Sequence, residues 1–251
     1  MLLDGKVVIV TGGGRGIGAN VSRVLARHGA RVAVVYSTSK SKAQTVVTEI
    51  AKAGGTAKAF QADVRDVDSV ETMVKAVKRQ FKRIDGVVNN AIAGRQHAPF
   101  DQATWTDYQD MFDFGCKAVV NLIRAVRPIM KAQGGGRIVN IVTELWNMGS
   151  AEWSTYLAGK GAMVGLSRSL ASELGPEGIT INMVAPGWMA DEKVDPSSDA
   201  SIRFGQTLPV RFHGSADEIG NGCVFFLSDL ARYVTGAYLP VTGGRVTQMG
   251  A

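Results

Sequence analysis

The apolar positions of the chain fall in short runs broken by glycine or polar residues, and these runs alternate with longer stretches of helical period. Residues 6–11, Lys-Val-Val-Ile-Val-Thr, and 31–36, Arg-Val-Ala-Val-Val-Tyr, are near-continuous apolar runs. That pattern suits parallel strands covered on both faces. Between them Val21, Val24 and Leu25 recur at helical spacing up to His28-Gly29. A helix from about Lys40 to Ala53 is closed by Gly54-Gly55. A strand over 56–61 leads to Ala62-Asp63-Val64, a helix runs from about Asp66 to Phe81, and a strand from Asp85 to Asn89. Residues 104–132 read as mostly helical and stop at Gly134-Gly135-Gly136, before a strand from Arg137 to Val142. A helix carrying Tyr156 continues to about Leu174. The strand Ile179 to Val184, a helix over 215–228 and a strand Tyr238 to Val241 complete the series. Strands alternating with helices of this length predict an α/β fold, a doubly wound parallel sheet. Residues 188–209 are polar and irregular, with Pro196 and Pro209, and a long loop there is expected to be functional, such as a lid. No linker, low-complexity stretch or repeat interrupts the pattern, so residues 1–251 are expected to form one domain.

Composition narrows the function classes. With 251 residues, 45% hydrophobic and 20% charged, the chain can bury one sizeable core. No apolar run reaches membrane length, and residues 1–6, with Asp4 and Lys6, do not read as a signal peptide. Cys116 and Cys223 form no paired motif, which fits a reducing, cytoplasmic setting. His28, His97 and His213 are not at metal-ligand spacing, so no metal is expected. The net charge is +6 without a dense block of lysine and arginine. This speaks against a nucleic-acid partner and is compatible with a solvated basic surface, a phosphate-rich cofactor or an anionic substrate.

Two stretches carry chemistry. Thr11-Gly12-Gly13-Gly14-Arg15-Gly16-Ile17-Gly18 lies between the first strand and the first helix, the context a dinucleotide-binding turn requires. Glycines let the backbone approach a pyrophosphate, and the helix N-terminus holds its charge. The second strand ends in Tyr36-Ser37-Thr38-Ser39-Lys40, without the acidic residue that usually meets an unphosphorylated ribose. Ser37, Thr38 and Lys40, with Arg15, favour the 2′-phosphate of NADP(H) over NAD(H). The serines also suit capping of the next helix. The other stretch is Tyr156-Leu-Ala-Gly-Lys160. Residues four apart share a helix face. A free tyrosine has a pKa of about 10, and a neighbouring cation lowers it. The pair is therefore a candidate proton donor to a carbonyl, or acceptor from an alcohol.

Taken together, Thr11-Gly12-x-x-x-Gly16-x-Gly18, Asp63-Val64, Asn89-Asn90-Ala91, Tyr156-x-x-x-Lys160, Pro186-Gly187 and Val241-Thr-Gly-Gly244 resemble the short-chain dehydrogenase/reductase family over essentially the whole chain. The look is nearest to its 3-oxoacyl-[acyl-carrier-protein] reductase-like members. The resemblance implies a Rossmann-type sheet of about seven parallel strands with helices on both faces, and a nicotinamide cofactor across the strands' carboxyl ends. It implies that Gly12, Arg15, Gly16 and Ile17 hold the diphosphate and Ser37 the adenosine phosphate. Asp63 and Val64 would bracket the adenine, Asn90 would meet the adjacent ribose, and the backbone through Met189 would hold the carboxamide. Tyr156 would be the acid/base, and Lys160 would bind the nicotinamide ribose and depress the tyrosine pKa. Thr143 occupies the family's serine position thirteen residues before Tyr156, and its hydroxyl can still support an oxyanion.

Three positions depart from the family pattern. Gly115 stands where an asparagine often steadies a water relay to the lysine, Ile92 where glycine usually follows Asn-Asn-Ala, and Asp191 where many relatives have threonine. Trp146, Trp153 and Trp188 border the expected cleft and favour a bulky or aromatic carbonyl substrate. Arg95 and His97 are expected to be solvated loop residues that could otherwise meet an anionic group. The family's carrier-docking arginines correspond to Gly134 and Glu177, which slightly favours a small, carrier-free substrate. The small residues Ala158, Ala162, Gly165 and Ser169 suit either packing on the chain's own sheet or the helical dimer interface of the family, so a homotetramer is expected, a dimer next. The leading reading is an NADP(H)-dependent ketone reductase or alcohol dehydrogenase. An enoyl reductase and a catalytically impaired nucleotide-binding regulator are the alternatives.

Overall fold

Alternate side chains of strand β1 (Val7–Thr11) point to opposite faces, and both faces are apolar. Val7 and Ile9 join one buried cluster, Val8 and Val10 another. Such a strand needs a helical layer on each side. The computed structural model supplies both layers; it describes residues 1–92, 94, 97–191 and 194–246. β2 (Arg31–Tyr36), β3 (Thr56–Gln61), β4 (Gly86–Asn89), β5 (Gly136–Ile141), β6 (Ile179–Pro186) and β7 (Tyr238–Val241) complete a seven-stranded sheet in the order β3-β2-β1-β4-β5-β6-β7. Every pairing is parallel, with Ile9 of β1 opposite Ala33 of β2 and Val87 of β4.

Helices α3 (Val67–Phe81), α5 (Ala118–Ala132) and α7 (Ser154–Leu174) cover one face, through residues such as Val74, Leu122 and Met163. Helices α1 (Gly16–Arg27), α2 (Lys40–Lys52) and α9 (Ala216–Leu227) cover the other, through Leu25, Val46 and Ile219. Strand order reverses between β1 and β4, which opens a crevice at the carboxyl ends of the strands. The turns that follow β1, β2, β4, β5 and β6 carry Gly12, Ser37, Asn90, Thr143 and Gly187, so one edge of the sheet gathers most of the chemistry.

The predicted elements are all present, with shifts of one or two residues at their ends. Two segments differ in kind. The stretch over 104–132 is α4 (Trp105–Phe112), a π-helical turn (Asp113–Lys117) and α5. The region expected to be irregular holds α8 (Asp199–Thr207), capped by the Ser198 side chain on the Ser201 N–H. Its buried positions are Ser201 and Gly205, so it shows no apolar stripe for a periodicity reading to find. Glu192 and Lys193 of that region lie outside the described residues, as does Arg95. A four-residue helix, α6 (Leu145–Met148), links β5 to α7. No helix among the described residues is long and apolar enough to cross a membrane. Cys116 and Cys223 are both free thiols, the latter buried in the core.

Candidate functional site

The site is built outward from the turn after β1. Gly12 and Gly16 have φ of +63° and +51°, a region that favours glycine. A Cβ on Gly18 would lie 2.3 Å from the Gly12 carbonyl and 2.4 Å from Asn90 Nδ2, so α1 starts hard against the turn. Asn90 Nδ2 donates to the carbonyls of Thr11 and Gly12, while Thr11 Oγ1 accepts from the N–H groups of Asn90 and Ala91. Asn90 therefore ties β4 to the glycine turn. Arg15 is exposed at the N-cap of α1, and neither it nor Ser39, the N-cap of α2, makes a side-chain cap bond. By contrast α3, α4, α8 and α9 are capped by Asp66, Thr104, Ser198 and Ser215. Uncapped N–H groups facing a crevice bind anions readily. Ser37 and Thr38 are exposed beside the start of α2, with the Ser37 carbonyl held by Gln61. These residues fit a phosphorylated dinucleotide.

Other predicted cofactor residues are more engaged with the chain. Asp63 accepts two side-chain bonds from Arg65, at 3.0 and 2.8 Å, and that guanidinium holds its carboxyl below the usual range. The Val64 side chain belongs to the core, and its carbonyl accepts from Asn121. Met189 is buried too. Only the backbone of Val64 is left to face a ligand. Asp191 reaches the start of α1, its Oδ2 within 3.4 Å of where a Cβ on Gly16 would sit.

Thr143 lies two residues past the end of β5. Its hydroxyl hydrogen-bonds the Tyr156 phenol, and its carbonyl accepts from Tyr238 Oη at 2.7 Å. Lys160, one turn beyond Tyr156, is buried; its Nζ donates to the Ile141 carbonyl and sits 5.7 Å from the Tyr156 ring centroid. Burial holds the Lys160 ammonium down to about 8. Burial also pushes the Tyr156 phenol up, against the pull of the Thr143 hydrogen bond. The predicted depression of the tyrosine by the lysine is thus not what the protein alone displays. The dryness that brings the pair together disfavours both charges.

Gly115 has a steric reason. It lies in the π turn, and a Cβ there would fall 2.1 Å from the Gly159 carbonyl on α7. A Cβ on Gly159 would in turn fall 2.5 Å from the Met111 carbonyl. The backbones touch, and the cleft behind Tyr156 and Lys160, lined by Ile92, Met111, Phe114 and Met163, is too narrow for a water molecule. Ile92 itself does not take a positive φ; among the described residues of that loop Gly94 does, at +93°.

Trp153 packs edge-on against Tyr156, with ring centroids 5.5 Å apart. Trp188 packs on Phe204 of α8 and on His213, and Trp146 lies over Gly161 of α7. Trp105 stacks on Tyr108 instead, on exposed α4. His97, expected to be a solvated loop residue, pairs with Glu152 at 2.9 Å and packs on Trp153. Sequence reading also missed a buried chain of hydrogen bonds, Asn89 to Asn140 to Ser167 to the Met163 carbonyl. Its only sequence signal is polar residues inside two apolar strands.

Comparison with known proteins adds three kinds of likeness. A family described as "Enoyl-(Acyl carrier protein) reductase" matches residues 12–245. The chain is 38% identical over 240 residues to the 3-oxoacyl-[acyl-carrier-protein] reductase FabG of Staphylococcus aureus, covering 95% of this chain and 97% of that protein. Among solved structures it is similar to a blue fluorescent protein from a metagenomic library in complex with NADPH, with TM-score 0.87 and 36% identity over 98% of this chain and all (100%) of the other. It is equally similar in shape to a short chain dehydrogenase from Burkholderia cenocepacia in complex with NADP, with TM-score 0.87 and 33% identity over 97% and 99% of the two chains.

Proposed function

The chain belongs to the short-chain dehydrogenase/reductase family, and from that premise we propose that it is an NADP(H)-dependent reductase of ketones, able to run in reverse on the secondary alcohol. NADP(H) is the cofactor, in keeping with the uncapped starts of α1 and α2 and the acid-free end of β2, and with the NADPH and NADP complexes of structures at this similarity. Gly12, Arg15, Gly16 and Ile17 would hold the diphosphate, Ser37, Thr38 and Lys40 the 2′-phosphate. The bound nicotinamide would supply or accept a hydride.

The observation that carries the reading is the Thr143–Tyr156 hydrogen bond at the carboxyl edge of the sheet, with Lys160 buried one turn beyond. Thr143 Oγ1 and Tyr156 Oη present two donors to one carbonyl oxygen. As that oxygen gains charge, Tyr156 gives up its proton and Thr143 stabilises what remains. Lys160, protonated below about pH 8, offsets the phenolate that Tyr156 becomes. In the reverse direction Tyr156 takes the proton back from the alcohol. Reduction of a carbon–carbon double bond, which the description of the matched family names, is not favoured: relatives at 35–38% identity include 3-oxoacyl reductases from several bacteria.

A wide, partly aromatic substrate is supported by Trp153 against Tyr156 and by the half-exposed Trp146 and Trp188. A carrier-free substrate is supported at Glu177, which engages both Arg127 and Lys131, so these cations are not free to meet an acidic carrier. The small residues of α7 face outward rather than onto the sheet: Gly165 and Ser169 are exposed and nothing lies within 4 Å of a Cβ placed on Gly165. That supports a homotetramer built on α7.

The test is direct. NADPH and NADH are titrated by fluorescence, and NADPH consumption is followed with bulky ketones, β-keto thioesters and quinones, beside Tyr156→Phe. NADPH-selective binding with turnover lost in Tyr156→Phe is the expected result. Equal turnover in that variant would overturn the assignment. Tight binding with no turnover on any substrate would favour a nucleotide-binding regulator.

A further inference from the structure

Glu144 follows Thr143 in sequence and is 2% exposed, although a buried carboxylate is costly unless fully paired. Its Oε1 accepts from Arg245 at 2.8 Å, while its Oε2 lacks a fully formed hydrogen bond. The carboxyl lies against Gly187, where a Cβ would be 3.4 Å from Oε2, so it sits between the turn after β5 and the turn after β6. The Glu144 N–H donates to the Pro186 carbonyl, which fastens the same two turns from the backbone. Arg245 comes from the turn after β7, and its guanidinium also lies over the ring of Phe204 on α8, 5.8 Å from the centroid. Phe204 in turn packs on Trp188, at 4.6 Å. One arginine thus touches the lid helix on one side and the residue after Thr143 on the other.

We propose that Glu144 and Arg245 are a positioning pair that couples the lid, through Phe204, to the placement of the Thr143 hydroxyl. This rests on the ketoreductase reading of Thr143 and Tyr156. With α8 packed down, the guanidinium is pinned between a ring and a carboxylate, and the turn bearing Thr143 is held against the β6 turn. Released from Phe204, Arg245 has only the partly solvated side of its pair, and the turn loosens. The groups facing Glu144 are Arg245 from the C-terminal turn, Tyr238 from β7 and the backbone N–H of Trp188 after β6; Arg245 is the cation among them, and Tyr238, held up to about 12 by burial, by Glu144 and by Tyr156, stays neutral.

The experiment uses the full chain and the variants Arg245→Met, Glu144→Gln, their double, Arg245→Lys and Phe204→Ala. It measures kcat and KM on an acetoacetyl thioester or the best ketone found, the pH profile from 5 to 9, and tryptic cleavage at the exposed Arg203 of α8 with NADPH bound. Arg245→Met is expected to lower kcat/KM tenfold or more and to move the acid limb of the profile upward, because Glu144 loses its cation. Adding Glu144→Gln should recover at least threefold. Cleavage at Arg203 should speed up at least tenfold in Arg245→Met and in Phe204→Ala. If Arg245→Met does not fold, Arg245→Lys carries the test, and should keep the acid limb in place while losing kcat. Effects of the two single variants that simply multiply, or an unmoved acid limb, would overturn the coupling. Unchanged cleavage at Arg203 would also overturn it even if no substrate were found, since that readout needs no turnover. Absent turnover with faster cleavage would fault the ketoreductase reading, and with it the role assigned to Thr143, while leaving the Arg245–Phe204 hold on α8 standing.

Discussion

Replacing Gly115 with asparagine, which would match the common family pattern, is expected to damage the protein. A Cβ at 115 would lie 2.1 Å from the Gly159 carbonyl oxygen, 2.6 Å from its carbon and 3.0 Å from its Cα. Ordinary contact needs more than 3 Å, so the π turn and α7 would have to part by about 1 Å, and the partner atoms are backbone that cannot swing away. Overpacking of this kind costs about 1–3 kcal/mol. Relief of the glycine's helix penalty returns about 1 kcal/mol. For a chain of this size each kcal/mol is worth about 2–4 °C in Tm, so Gly115→Ala should lose a few degrees and Gly115→Asn more. Gly159 precedes Lys160, and α7 carries Tyr156, so a 1 Å shift should also cost about a hundredfold in kcat. Gly175→Ala is the control: it caps the C-terminal end of α7, away from the small-residue stripe, with nothing within 4 Å of the new Cβ, and should leave Tm and activity nearly unchanged. Thermal melts and steady-state kinetics on the three variants decide the matter. A Gly115→Asn protein with unchanged Tm and equal or higher kcat would show that the helices are not in backbone contact, and would refute the steric account.

Further outcomes are expected at other positions. Ser37→Asp should weaken NADPH binding tenfold or more and narrow its advantage over NADH, because a carboxylate at the end of β2 would repel a 2′-phosphate and accept from a free hydroxyl; parallel fluorescence titrations with both cofactors test it. Asp191→Asn should tighten NADPH severalfold by removing a negative charge beside the start of α1, with the larger gain at low salt in the same titration. Lys160→Met should abolish turnover yet change stability in a pH-dependent way. The folded lysine is held down to about 8 from 10.5, so between those values the unfolded chain binds more protons and wild-type stability rises with pH. The variant lacks this term, so its Tm relative to wild type should be highest at pH 7 and decline towards pH 10. A constant difference across that range would count against a buried, charge-penalised lysine.

Much of this was open to sequence reading, for identifiable reasons. β1 and β2 are apolar on both faces because both faces are covered, and that pattern is local. Glycines at 12, 16 and 18 mark the turn because the backbone at 12 and 18 comes within van der Waals range of Asn90 and that at 16 takes a positive φ. What escaped depends on partners far along the chain. Gly115 looks like a loss until Gly159 is seen against it. Nothing near Glu144 in sequence marks it as an ion-pair partner until Arg245 arrives from 101 positions away. His97 is an exposed loop residue, as expected, but its contacts to Glu152 and Trp153 show only in the folded chain. Helix α8 escaped because Ser201 and Gly205, not large apolar residues, form its buried side.

The same distribution explains why the site is placed where it is. The two apolar layers meet the sheet along most of its length, but at the carboxyl edge they give way to buried polar groups: Asn89, Asn140 and Ser167 in one chain of bonds, Lys160 on the Ile141 carbonyl, Glu144 on Arg245. Each costs stability unless its partner is in place. Together they fix the ends of β4, β5 and β6 relative to α7, which a fluid apolar contact would do less well. The edge is therefore held by directional bonds where a proton must be passed over hydrogen-bond distances, and by shape alone where only packing is asked of it. A substitution in the apolar layers should then lower Tm with kcat per folded molecule little changed, whereas Asn140→Leu, which breaks the bonds to both Asn89 and Ser167, should lower kcat as well. Equal loss of kcat from Leu122→Ala, deep in the α5 layer and away from the edge, would contradict that division of labour.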